Sequence, residues 1–149
     1  MASLIQSFLD PFSSRLIWII GNISVVRGIR CWISPASQYE EYGLPLEQST
    51  EPTAQSGATS PLIYVKGIRD FGYGVMLMTL HNMGDERAVT VLVANGALMT
   101  LADAFVVWRF GGAHTRTAWQ HLLIGVLFAV WYWLRLPSQQ GYQVTVKPR

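Results

Sequence analysis

The sequence predicts an all-α fold, an integral membrane four-helix bundle, and three observations carry that prediction. Four stretches rich in Leu, Ile, Val, Phe and Trp recur along the chain, each near the length that crosses a bilayer. Half of the 149 residues are hydrophobic, 13% are charged and the mean hydropathy is +0.26, a balance unusual for a water-soluble domain. Trp108, Trp119, Trp131 and Trp133 stand near segment ends, where an interfacial aromatic belt is expected. The length fits a single membrane domain over residues 1–149.

Residues 1–14 are mildly apolar and broken at Asp10-Pro11; they lack the basic region and small-residue cleavage site of a signal peptide. The first helix is expected over about 12–33, with its apolar heart at 16–26 and Arg27 and Arg30 in its last turns. Gly21, Ser24 and Gly28 share one face, the small-residue stripe that lets membrane helices approach closely. Asn22-Ile23-Ser24 spells a glycosylation sequon, out of reach inside a span. Cys31, the one cysteine, excludes an intramolecular disulfide and a cysteine metal cluster, and reads as a packing residue.

Residues 34–61 change character. Pro35, Pro45, Pro52 and Pro61, with Glu40, Glu41, Glu47 and Glu51, predict a long polar loop. Further helices are expected over about 62–82, 88–108 and 118–136, joined by turns at 83–87 and 111–116. Pro137 is expected to end the last helix, leaving a polar tail over 137–149.

Ionisable groups inside these segments are the functional signal, because charges within a membrane are costly and usually functional or paired. With four spans, the polar residues fall on one membrane side. At a rise of about 1.5 Å per residue, Arg27, Arg69, Asp70 and Asp103 lie roughly 9–12 Å inside their helix ends. Arg109 stands at the rim and His121 in the first turn of the fourth helix. Asp70, Tyr73 and Gly74 lie close together on their helix, and Gly96, Thr100 and Asp103 share a face of the next. An Asp-Arg-Asp cluster in low dielectric can leave one acid protonated and the other ionised. The expected catalytic residues are therefore Asp70, Asp103 and Arg69, with Arg27, Tyr73, Arg109 and His121 as substrate contacts. The same charges could equally lock helices together.

Other chemistries find no pattern. His81 lies too far from Asp70 for contact, and His114 beside Gly111-Gly112 reads as part of a glycine turn. No histidine pair has metal-site spacing, and no P-loop, dinucleotide fingerprint or nucleophile elbow is present. No cofactor and no metal are expected. No basic run with interleaved aromatics points to nucleic acid. Five basic residues stand on each side of the bundle, so the positive-inside rule gives no orientation.

Gly43-Leu44-Pro45, Gly67-Ile68-Arg69-Asp70, Ala102-Asp103-Ala104 and Trp108-Arg109 together resemble a family of uncharacterised small four-helix integral membrane proteins. The resemblance covers roughly residues 12–136, and Gly-Ile-Arg-Asp is its most specific part. That family is common in fungi and occurs in some bacteria, often within natural-product gene clusters. It supplies no catalytic residues to carry over. The resemblance implies a role in secondary-metabolite biosynthesis. The long glutamate-rich connection before the second span exceeds the family's usual one.

The expected function is a cofactor-independent cyclase or isomerase, working by acid–base catalysis on a lipophilic terpenoid or polyketide intermediate. The expected partners are that substrate, membrane lipid and other pathway enzymes, and the expected location is the endoplasmic reticulum membrane if the source is eukaryotic. The alternative is a non-catalytic accessory or scaffold protein, or a small transporter.

Overall fold

The computed structural model describes residues 2–46, 59–112 and 114–139, with side chains over 14–46, 59–112 and 114–136. The polar tail beyond residue 139 and the loop over 47–58 lie outside the described residues. Among the described residues the chain is all-α: α1 Ala2–Ile33, α2 Pro35–Tyr42, α3 Leu62–Asn82, α4 Glu86–Phe110 and α5 Thr115–Gln139.

Three boundaries differ from the sequence reading: α5 runs past Pro137, expected to end it, to Gln139, because a proline near a helix end forfeits only one amide bond. The backbone of α1 stays helical through Asp10-Pro11, since proline's fixed φ is itself a helical value and only one amide bond is forfeited. The stretch read as a polar loop begins with a two-turn helix, α2. Pro35, taken as a breaker, stands in its first turn, where the missing N–H would be unpartnered anyway. Gly43 ends α2 at φ 78°, its N–H bonding Glu40 O at 3.0 Å while Leu44 N bonds Tyr39 O at 2.8 Å. A Cβ at Gly43 would also lie 2.7 Å from Thr117 Cβ, so glycine serves both the left-handed turn and the close approach of α5.

Three helices are long and apolar enough to cross a membrane: α1 from Ser14 to Ile33, α4, and α5 as far as Leu136. No more than a third of any of these apolar windows is buried inside the protein, which suggests a membrane protein. Of the four expected spans, α3 falls short on composition because Lys66, Arg69 and Asp70 lie within its first turns.

The helices are arranged as two pairs. α1 packs along α3 and α4 along α5, whereas α3 touches α4 more sparingly. The α1–α3 contact is made by glycines on both sides: a Cβ on Gly28 would come within 2.6 Å of Phe71 N, and one on Gly67 within 2.6 Å of Cys31 Cβ. Gly21 packs likewise against Met78 and Gly74. The expected stripe is therefore matched by glycines on its neighbour, and backbones approach where side chains would hold them apart. Gly28→Leu is expected to force α1 off α3 and cost about 1–3 kcal/mol or more. Thermal unfolding of the detergent-solubilised protein checks this, and an unchanged midpoint would show that the seam is not tight.

At one end Ile17, Leu77, Val89 and Val93 form a buried core, with Ile20, Leu80, Leu92, Phe128 and Trp131 around it. Below it His81 Nε2 lies 2.8 Å from Ser14 Oγ, and Glu86 pairs with Arg135 at 2.6 Å. At the other end Cys31, Tyr39, Tyr42 and Ile63 seat α2 against α1 and α3, and Cys31 is fully buried, a packing residue as expected. Between these two cores the bundle is hollow.

Candidate functional site

The hollow is a cavity of about 240 Å³ where α1, α3, α4 and α5 meet. One part of its wall is apolar, formed by Ile20, Ile23, Met99, Ile124 and Phe128. The rest carries Arg27 from α1, Lys66, Arg69, Asp70 and Tyr73 from α3, Asp103 from α4 and His121 from α5. Lys66, Arg69, Asp70 and Tyr73 are spaced three and four apart, so one face of α3 presents them all.

The charges form a closed network. Arg69 reaches Asp103 at 3.3 and 2.9 Å through Nη1 and Nη2, and Asp70 Oδ1 at 3.2 and 3.1 Å through Nε and Nη2. Lys66 Nζ donates to Asp103 Oδ2 at 2.9 Å and lies 3.7 Å from Asp70 Oδ2. Tyr42, from α2, donates its phenol O–H to Asp70 Oδ2 at 2.8 Å. Its ring lies 3.9 Å from Lys66 Nζ and 4.6 Å from Arg27 Cζ. Burial, reinforced by the Asp70 charge, pushes the Tyr42 phenol far above its usual range, so it stays a donor at any working pH.

The expected Asp-Arg-Asp cluster is present, with Arg69 between the two acids. Every oxygen of Asp70 and Asp103 accepts from a cation or a phenol, and both acids also line the cavity. The two acids and Arg69 meet as a bracket joining α3 to α4, which otherwise touch more sparingly than the helices within each pair.

Three other polar atoms on the cavity wall are buried without a hydrogen-bond partner: Tyr73 Oη, His121 Nε2 and Arg27 Nε. An unpartnered buried polar atom costs about 1–3 kcal/mol, and three helices each bring one to this cavity. In the His121 tautomer protonated on Nδ1, the unpartnered Nε2 presents a lone pair to the cavity. Tyr73 Oη packs against Gly96, where any side chain would displace it. The site thus offers a base, a phenol donor and a cation within one small chamber.

Arg109 does not join them. It is exposed, its guanidinium 5.3 Å from its own neighbour's ring at Phe110. Six residues beyond Asp103 at about 100° per residue, it points well away around α4. Lys66 and Tyr42 are the residues sequence reasoning missed. Lys66 had a legible signal, standing four residues before Asp70 on one helix face. Tyr42 had none, because its place depends on how α2 folds back.

The family model for a domain of unknown function (DUF4267) matches residues 21–135. No curated protein and no solved structure matches the chain.

Proposed function

The chain belongs to the family of the domain of unknown function DUF4267, and for this member we propose a cofactor-independent membrane isomerase or cyclase acting on a lipophilic substrate. In this reading α1, α3, α4 and α5 lie together in the bilayer as a four-helix bundle. The charges of α3 turn inward, while Leu62, Val65 and Ile68 face lipid at 60–72% exposure. The observation that carries the reading is the trio of buried, unpartnered polar atoms that α1, α3 and α5 bring to one chamber, part of whose wall is apolar.

The roles follow from what each group offers. His121 Nε2 takes a proton from carbon beside a carbonyl or similar acceptor. Tyr73 O–H and the Arg27 cation stabilise the oxyanion that develops. The proton returns at another carbon, or the carbanion closes a ring before it returns. Atoms and electrons balance with no oxidant or reductant. The Lys66–Arg69–Asp70–Asp103 bracket holds α3 and α4 so that Tyr73 and His121 face one another's space.

Because such a reaction conserves composition, mass tests it. In the native host, deletion of the protein is expected to remove one metabolite and accumulate a precursor of identical formula. Complementation in deuterated medium is expected to restore the product with deuterium at the rearranged carbon. A precursor differing by hydrogen, oxygen or a larger group would sink the isomerase reading.

One observation favours a second reading. The ion bracket spans the junction of the two helix pairs, as expected of a scaffold whose charges only hold it together. An unchanged metabolite profile, with loss of a neighbouring membrane enzyme from the membrane fraction, would favour that scaffold. For a transporter path the packed core at Ile17, Leu77, Val89 and Val93 is an obstacle, closing the chamber on that side.

A further inference from the structure

The cations of the chamber outnumber its acids. Lys66 and Arg69 engage Asp70 and Asp103, which leaves Arg27 as the surplus charge. Among the described residues Arg27 has no acid partner. Its guanidinium stacks over the Tyr42 ring, and its Nε is buried without a bond. Glu41, the nearest acid toward α2, is engaged by Arg30 at 2.8 Å and by Gln38 Nε2 at 3.1 Å. A cation so placed is costly unless an anion joins it.

The shape says what kind of anion. α1 and α5 hardly touch, since each packs on a different partner, and the gap between them is flanked by Ile20 and Ile23 on one side and Ile124 and Phe128 on the other. A second cavity of about 350 Å³ shares Arg27, His121 and Ile124 with the first and opens beside it. The inner chamber of about 240 Å³ falls short of the roughly 300–1,000 Å³ that drug-sized ligands occupy. A chamber of that size would admit only the end of such a molecule, and the gap beside it has room for the remainder.

We propose that this slot takes a lipophilic carboxylic acid, its carboxylate on Arg27 and its apolar body between α1 and α5. This deepens the reading of the chamber as a substrate site and rests on it. The geometry places the carbons nearest the carboxylate beside His121 and Tyr73, where proton transfer would occur.

Binding tests it without turnover. The full chain in neutral phosphatidylcholine nanodiscs would be titrated with cis-parinaric acid and with its methyl ester, followed by fluorescence. The acid is expected to bind about 10-fold or more tightly than the ester, the equivalent of one good ion pair. Arg27→Gln should bring the two to parity, and Arg27→Lys should keep the preference. Ile124→Trp, which fills the gap without touching charge, should weaken both about 10-fold, and it decides the matter if Arg27→Gln does not fold. Equal binding of acid and ester by the wild type would overturn the proposal. So would a preference surviving Arg27→Gln, or full acid binding with the gap filled. Displacement of the acid by phosphatidylglycerol in the disc would also overturn it, assigning Arg27 to a lipid head group. Acid preference without any isomer conversion retires the catalytic reading and leaves this one standing, and the reverse result does the opposite.

Discussion

Asp103→Asn is expected to destabilise the protein by about 3–5 kcal/mol, the cost of leaving a buried ion pair without one partner. Asp103 alone on α4 receives both Lys66 and Arg69, at 2.9 Å each. Its side chain is 23% exposed and that of Lys66 18%, so water can replace little of the lost attraction. The asparagine keeps the shape but presents an amide where a carboxylate answered two cations. The bracket also ties the α1–α3 pair to the α4–α5 pair, so its loss should loosen the chamber as a whole. Unfolding in mixed detergent micelles gives the single-mutant cost. A double-mutant cycle with Lys66→Met gives the coupling, expected at about 0.5–3 kcal/mol. Strict additivity would mean that Lys66 and Asp103 act independently and that the bracket is not one unit.

His121→Gln is expected to behave in the opposite way, with stability nearly intact and turnover reduced about 10²–10⁴-fold. Glutamine is close to histidine in size and polarity, while Nε2, the atom that serves as base, holds nothing in the protein. A base must be neutral to accept a proton, so the wild-type rate should rise with pH along an acid limb. The variant should lack that limb. Tyr73→Phe should lower the rate without changing the limb, because the phenol donates and does not titrate there. If His121→Gln instead unfolds the protein, or its residual activity retains the wild-type pH profile, the imidazole is a positioning residue and the base lies elsewhere.

Much of the frame is legible along the chain, because hydrophobic runs of bilayer length and a glycine stripe are local properties. Gly21 and Gly28 announce a close helix contact before any partner is known, and Gly67 and Gly74 supply it. The convergence of Arg69, Asp70 and Asp103 is also legible, since few places can hold buried charges and each must meet an opposite one. Their roles are not. Whether an acid is free or saturated depends on who else arrives, and Lys66 and Tyr42 fill the remaining oxygens. Tyr42 arrives only because Pro35 starts a helix where proline usually ends one, and Gly43 then turns it back.

The sequence by itself determined that the protein is built of long apolar helices and that its buried charges gather at one level. Periodicity and hydropathy are written residue by residue, and the penalty for an unpaired charge in an apolar medium permits few solutions. Only the tertiary structure decided which polar groups are satisfied by one another and which still face the cavity. It joined Asp70 and Asp103 to Lys66 and Arg69 on the cavity lining, turned Arg109 outward, and left Arg27 Nε, Tyr73 Oη and His121 Nε2 without partners. The physical reason is that satisfaction of a hydrogen-bonding group is a property of distances across helices, and those are fixed by packing, not by spacing along a single chain segment.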